Sequence, residues 1–152
     1  MKIREAQFGY ACINMHLQET EKVQCNRRMI KRTFLSKGVP YASELALSNV
    51  RSLRRVIEWN NQNDVKVYRM TSCLFPWVSE YELEDLPDFE EITEIMREAG
   101  RIAMTAGQRL SFHPGQFCVL ASPTEKVVTN AAQELNKHAQ MMDIMGLPKS
   151  PA

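Results

Sequence analysis

A chain of 152 residues that is 44% hydrophobic is long enough for one ordinary domain with a core. Its formal net charge of +1 excludes a global electrostatic case for nucleic acid or membrane. No segment reaches the roughly 18 consecutive apolar residues needed to cross a bilayer.

Charge is unevenly distributed. Between Lys22 and Lys37 lie six basic residues and no acid, whereas Glu80 to Glu98 holds nine acids and one base, Arg97. The basic stretch is able to touch phosphates locally. Solvated side chains explain it equally well on charge alone. The acidic stretch falls on a loop and the outer face of a helix, so solvent is its expected partner. Cys12, Cys25, Cys73 and Cys118 are too far apart for a CxxC pair or a zinc ribbon. With no apolar signal-like run in MKIREAQFGY, reduced thiols in a cytosol-like compartment are expected.

In chain order, QFGYACIN (7–14) reads as a first strand, followed by a long polar and basic connection to about residue 42. Ser43 is expected to cap a helix to about Asn61, with Ala46, Val50, Leu53 and Ile57 on its buried face. VKVYRMTS (65–72), rich in β-branched and aromatic residues, is the second strand. A loop with aromatics, CLFPW, follows, and LFPW is either an exposed wedge or a packed loop. Asp88, with Glu91 three residues on, predicts a capping box for a helix to about Ala106, stopped by Gly107. Its expected apolar face is Ile92, Ile95, Ala99, Ile102 and Ala106.

The third strand is RLSFH, near 108–113, where Leu110 and Phe112 alternate with polar residues and Pro114–Gly115 ends the strand. Ser122, Pro123 and Glu125 then predict the start of a helix over 123–145 that turns Val128, Ala131, Leu135, Met142 and Met145 inward. Strand–helix alternation implies a parallel sheet, either doubly wound or part of a (β/α)₈ barrel. The absence of a GxGxxG or GxxxxGK[ST] motif weighs against dinucleotide binding. Asn14, Ser72 and His113 fall at the carboxyl ends of their strands, the end where parallel α/β proteins bind ligands. A barrel needs about 250 residues, so the expectation is a fragment with an open strand edge, prone to self-association or to pairing with a missing carboxy-terminal half.

The blocks FGYACIN, CNRRM, YRMTSCLFPW, RLSFHPGQF, ASP and LNKHAQMMDIMGLPKSP occur in the order in which they occur in UV-damage endonucleases, and the chain resembles the amino-terminal half of that family. The resemblance implies an α/β fold, namely about three βα units of a (β/α)₈ barrel. It also implies incision of double-stranded DNA at UV photoproducts and other distorting lesions, with divalent metal ions, manganese first, as cofactor. His113 matches a metal ligand, and Gln116 and Phe117 match a pair that probes the damaged duplex, the second position often being Tyr. Tyr10 and Asn14 match lesion-surface positions. The remaining ligands of the family lie in later strands, beyond Ala152, so the chain alone is expected to be inactive.

The chemistry is coherent without the name. A strand-end imidazole is held by the scaffold, Pro114 keeps His113 extended, and Gly115 lets the chain turn away. Gln116 offers a donor and an acceptor to a base edge. An aromatic beside it fills the gap left by a displaced base. Asn26, Arg27 and Arg28 are phosphate-clamp candidates. His16 and His138 are expected to be surface or helix-packing residues. Two rival readings are a metal-dependent sugar isomerase or epimerase of the same barrel group and a non-catalytic half-barrel.

Overall fold

Alternation of apolar and polar residues along three strands builds a parallel sheet with two unlike faces. The computed structural model describes residues 6–149, so the ends of the expected 1–152 span lie outside the described residues. The strands β1 (Gly9–Ala11), β2 (Val67–Thr71) and β3 (Arg109–His113) stand in the order β1-β2-β3, all parallel. Tyr10, Tyr68 and Leu110 form one row across the sheet. Tyr68, Met70, Leu110 and Phe112 are buried on one face. Arg69, Arg109 and His113, which alternate with them, are exposed on the other. At the narrow end of the sheet, a Cβ on Gly9 would lie 2.1 Å from the Val67 carbonyl oxygen, so only glycine lets β1 approach β2 this closely.

Helices α1 (Met15–Glu21), α2 (Lys31–Gln62), α3 (Phe89–Thr105) and α4 (Glu125–Ile144) complete the fold. The residues Ala46, Val50, Leu53 and Ile57 of α2 are buried together as their spacing requires. On α3 the buried stripe is Ile92, Met96, Ala99 and Ala103, with Ile95 and Ile102 only half-buried at its margin. On α4 it is Ala131, His138 and Met141, continuing to Met145 beyond the helix. These faces cover the apolar side of the sheet, which is the layering of a partial (β/α)₈ barrel.

Four local expectations are corrected. The polar connection after β1 contains α1, because the Asn14 side chain accepts the Leu17 amide at 2.9 Å and Leu17 is fully buried. Ser43 does not start a helix. α2 runs from Lys31 and bends at Gly38 (φ 64°, ψ −159°), and Pro40 opens its second, longer piece. Ser43 instead pairs with the start of α3: its hydroxyl donates to Asp88 Oδ2 at 2.7 Å and accepts the Asp88 amide at 3.0 Å. Asp88 stands at the N-cap position of α3, but its carboxylate faces Ser43 and makes no capping bond of its own. Finally, α4 begins at Glu125 after Thr124, and Ser122 accepts the Thr124 amide one turn earlier.

Candidate nucleic-acid interface at the strand ends

The register sets Thr71, the last residue of β2, beside His113, the last residue of β3. From there both chains leave the sheet through tight structure. The Thr71 hydroxyl accepts the Cys73 amide at 3.1 Å, starting the aromatic loop. After His113 the chain turns at once, closed by the Cys118 amide donating to the Gly115 carbonyl at 3.0 Å. Glu134 of α4 accepts the Gly115 amide at 2.9 Å. A helix side chain therefore fixes the turn, and the turn projects Gln116 and Phe117 outward; Phe117 is 81% exposed.

Between this turn and the neighbouring loops lies an open cleft of about 420 Å³, lined among others by Arg28, Ser72, Trp77, Gly115, Phe117 and Glu134. The CLFPW segment is its wall. Leu74 and Phe75 are buried, so the segment is a packed loop and not a wedge. Trp77 donates its indole N–H to the Met29 carbonyl at 3.0 Å and stacks on Phe34 at 5.6 Å.

Three of the residues expected to contact DNA make hydrogen bonds within the fold. Tyr10 points into the helix layer. Its hydroxyl donates to Asn60 at 2.7 Å and accepts from Asn14 at 2.8 Å. Burial pushes that phenol up to about 12, partly opposed by hydrogen bonds to Asn14 and Asn60. Asn14 is buried and uses its other end to cap α1. Neither polar group faces the cleft, because both satisfy buried donors and acceptors of the fold. Arg27 is turned back as well. Its guanidinium donates to the Gln24 carbonyl and to Ser52 Oγ, the latter at 3.0 Å. Its backbone is held at both ends by Asn49. Asn26 is half-buried beside it, and the basic side chain that reaches the cleft is Arg28.

Glu134 escapes notice in the sequence because it is 19 residues from the glycine it holds; no local pattern announces it. The donor set for a metal is incomplete. Among the described residues no group of three or more His, Cys, Asp or Glu side chains could hold an ion. His113 offers one exposed imidazole, and Glu134 is engaged with the turn. The described residues therefore do not by themselves fit a divalent-metal centre, which ordinarily needs about three protein ligands.

Residues 6–152 match the family model described as UV-endonuclease UvdE. The chain belongs to that family. Within the UvdE family it is 33% identical over 141 residues to the UV-damage endonuclease of Schizosaccharomyces pombe, covering 92% of this chain and 23% of that protein. It is 27% identical over 156 residues to the UV DNA damage endonuclease of Nostoc, covering 99% of this chain and 46% of that protein. The crystal structure of SacUVDE superimposes with a TM-score of 0.79 at 25% identity, over 94% of this chain and 47% of that one. The chain thus spans less than half the length of these relatives. No helix among the described residues is long and apolar enough to cross a membrane.

Proposed function

We propose that this chain supplies the first βα units and the lesion probe of an endonuclease that incises double-stranded DNA at UV photoproducts and other distorting lesions. The observation that carries the reading is the Gln116–Phe117 tip. In a chain of the UvdE family, a bare aromatic beside an amide stands at the carboxyl ends of parallel strands, next to an open cleft. An exposed ring of this kind costs solubility and stacks on a base that a distorted duplex has let go. His113 is the residue proposed to ligate a divalent ion, manganese first, with its companion ligands coming from outside the described residues. A sugar pocket would have little use for a tip that projects away from the cleft floor.

The reading is tested by binding. The chain should bind a UV-irradiated duplex more tightly than the same duplex unirradiated, and Phe117→Ala should remove most of that preference while leaving the fold intact. Equal affinity for both duplexes would overturn the probe. An incision assay with manganese should show no cutting by the chain alone, and robust cutting would overturn the view that His113 lacks sufficient companion ligands.

A further inference from the structure

We propose that residues 28–37 form a second DNA contact, a rigid basic arm that grips the phosphates of undamaged duplex beside the lesion. The proposal deepens the reading above and rests on it. Its basis is a cluster of exposed cations without carboxylate partners on one segment that reaches the cleft. Arg69, Arg97, Arg101 and Arg109 also lack such partners among the described residues but do not line it. Arg51, Arg54, Arg55, Lys66 and Lys137 each pair with an acid. Arg28, Lys31 and Arg32 make no ion pair among the described residues, and all three are exposed. Lys37 rests its ammonium over the Tyr41 ring at 4.0 Å. The acids that line the cleft with Arg28 are Glu80 and Glu134.

Surface cations left unpaired cost little in water, so lack of a partner alone would mean little. Here the backbone that carries them is fixed. Asn49 brackets Arg27, Trp77 holds the Met29 carbonyl, and Phe34 lies flat on Trp77 with planes 16° apart. At the far end the bend at Gly38 sets residues 31–37 at an angle to the rest of α2. Seven helical residues rise about 10 Å, enough to follow about three phosphates of one strand at roughly 3.4 Å each along the axis. The arm is continuous with the cleft through Arg28 and Met29, on the same rim as Phe117. Ile30 and Leu35, 69% and 74% exposed, stand among the cations, where sugar rings of a bound strand would cover them.

Phosphate contacts release counterions, each worth about 0.9 in the slope of log binding constant against log salt. The triple variant Arg28→Gln, Lys31→Gln, Arg32→Gln should therefore lower that slope by roughly 2–3 and weaken irradiated and unirradiated duplex by the same factor. Lys31→Gln and Arg32→Gln singly should each lower it by about 0.9, which keeps the test decisive if the triple variant folds poorly. Arg51→Gln with Arg55→Gln, on the paired outer face, should leave it unchanged. An unchanged slope in the arm variants, or an equal loss in the outer-face variant, would overturn the arm while leaving the Phe117 preference standing. Absence of any duplex binding by the native chain would overturn both.

Discussion

His138 lies flat on Phe112, ring centroids 4.3 Å apart and planes 4° from parallel, with neither imidazole nitrogen hydrogen-bonded among the described residues. The ring is 4% exposed and behaves as a packing group between α4 and β3. Burial holds its pKa below the ordinary imidazole value, with the Glu134 carboxylate one turn away acting in the opposite sense.

The sign of the linkage follows. The unfolded chain takes up a proton near the ordinary value of about 6.5 and the folded chain resists it. Stability from this site is therefore complete above that pH and declines as pH falls below it. Thermal unfolding should show His138→Leu losing less stability than the native chain between pH 7.5 and pH 5.5. Parallel losses in the two proteins would refute a neutral, buried His138.

Asn49 ties three segments together. Its amide donates to the carbonyls of Arg27 and Leu74, both at 3.0 Å, and its oxygen accepts the Arg27 amide at 2.9 Å. Asn49→Ala would leave buried backbone groups unpaired and should cost about 2–3 kcal/mol in urea unfolding. Asn49→Asp, which keeps an acceptor and loses both donors, should also be destabilised. A cost under about 0.5 kcal/mol for the alanine variant would mean water replaces the amide.

This residue also shows how far the sequence could be read. Asn49 sits one position before Val50 on a helix whose apolar period was plain, and the same period carries no sign of which polar residue turns inward. The strand ends, the Pro–Gly turn and the α2 face were legible because they depend on local spacing. The hydrogen bonds that Tyr10, Asn14 and Arg27 make within the fold were not legible, because their partners are set by tertiary packing. Asn60 lies 50 residues from Tyr10, and Ser52 lies 25 from Arg27. The bend at Gly38 was missed because a glycine followed by Val39 and Pro40 reads as loop, whereas it joins two helical pieces.

Gly9→Ala should part β1 from β2. The added methyl would meet the Val67 carbonyl oxygen at 2.1 Å, and backbone cannot swing aside as a flexible side chain can. A loss of about 1–3 kcal/mol is expected from such overpacking, read by denaturant titration. No loss would show that the strand ends are looser than their register implies.

Glu134→Ala should free the turn that carries Gln116 and Phe117. Hydrogen bonds to a charged acceptor contribute about 1.5–3 kcal/mol, so exchange of the Gly115 amide with deuterium should quicken by about tenfold or more. Glu134→Gln, with a neutral oxygen in the same place, should recover much of the protection. Equal exchange in all three proteins would remove Glu134 as the anchor.

Arg69 and Arg109 stand diagonally on adjacent strands, on the side of the sheet that no helix covers among the described residues. Pressing an oily layer against them would strip two guanidinium groups of water, at several kcal/mol for each ion. That side is thus chemically committed: whatever faces it must bring anions or other hydrogen-bond acceptors to meet the pair, or leave a hydrated gap. A greasy surface is the one neighbour this sheet is built to refuse.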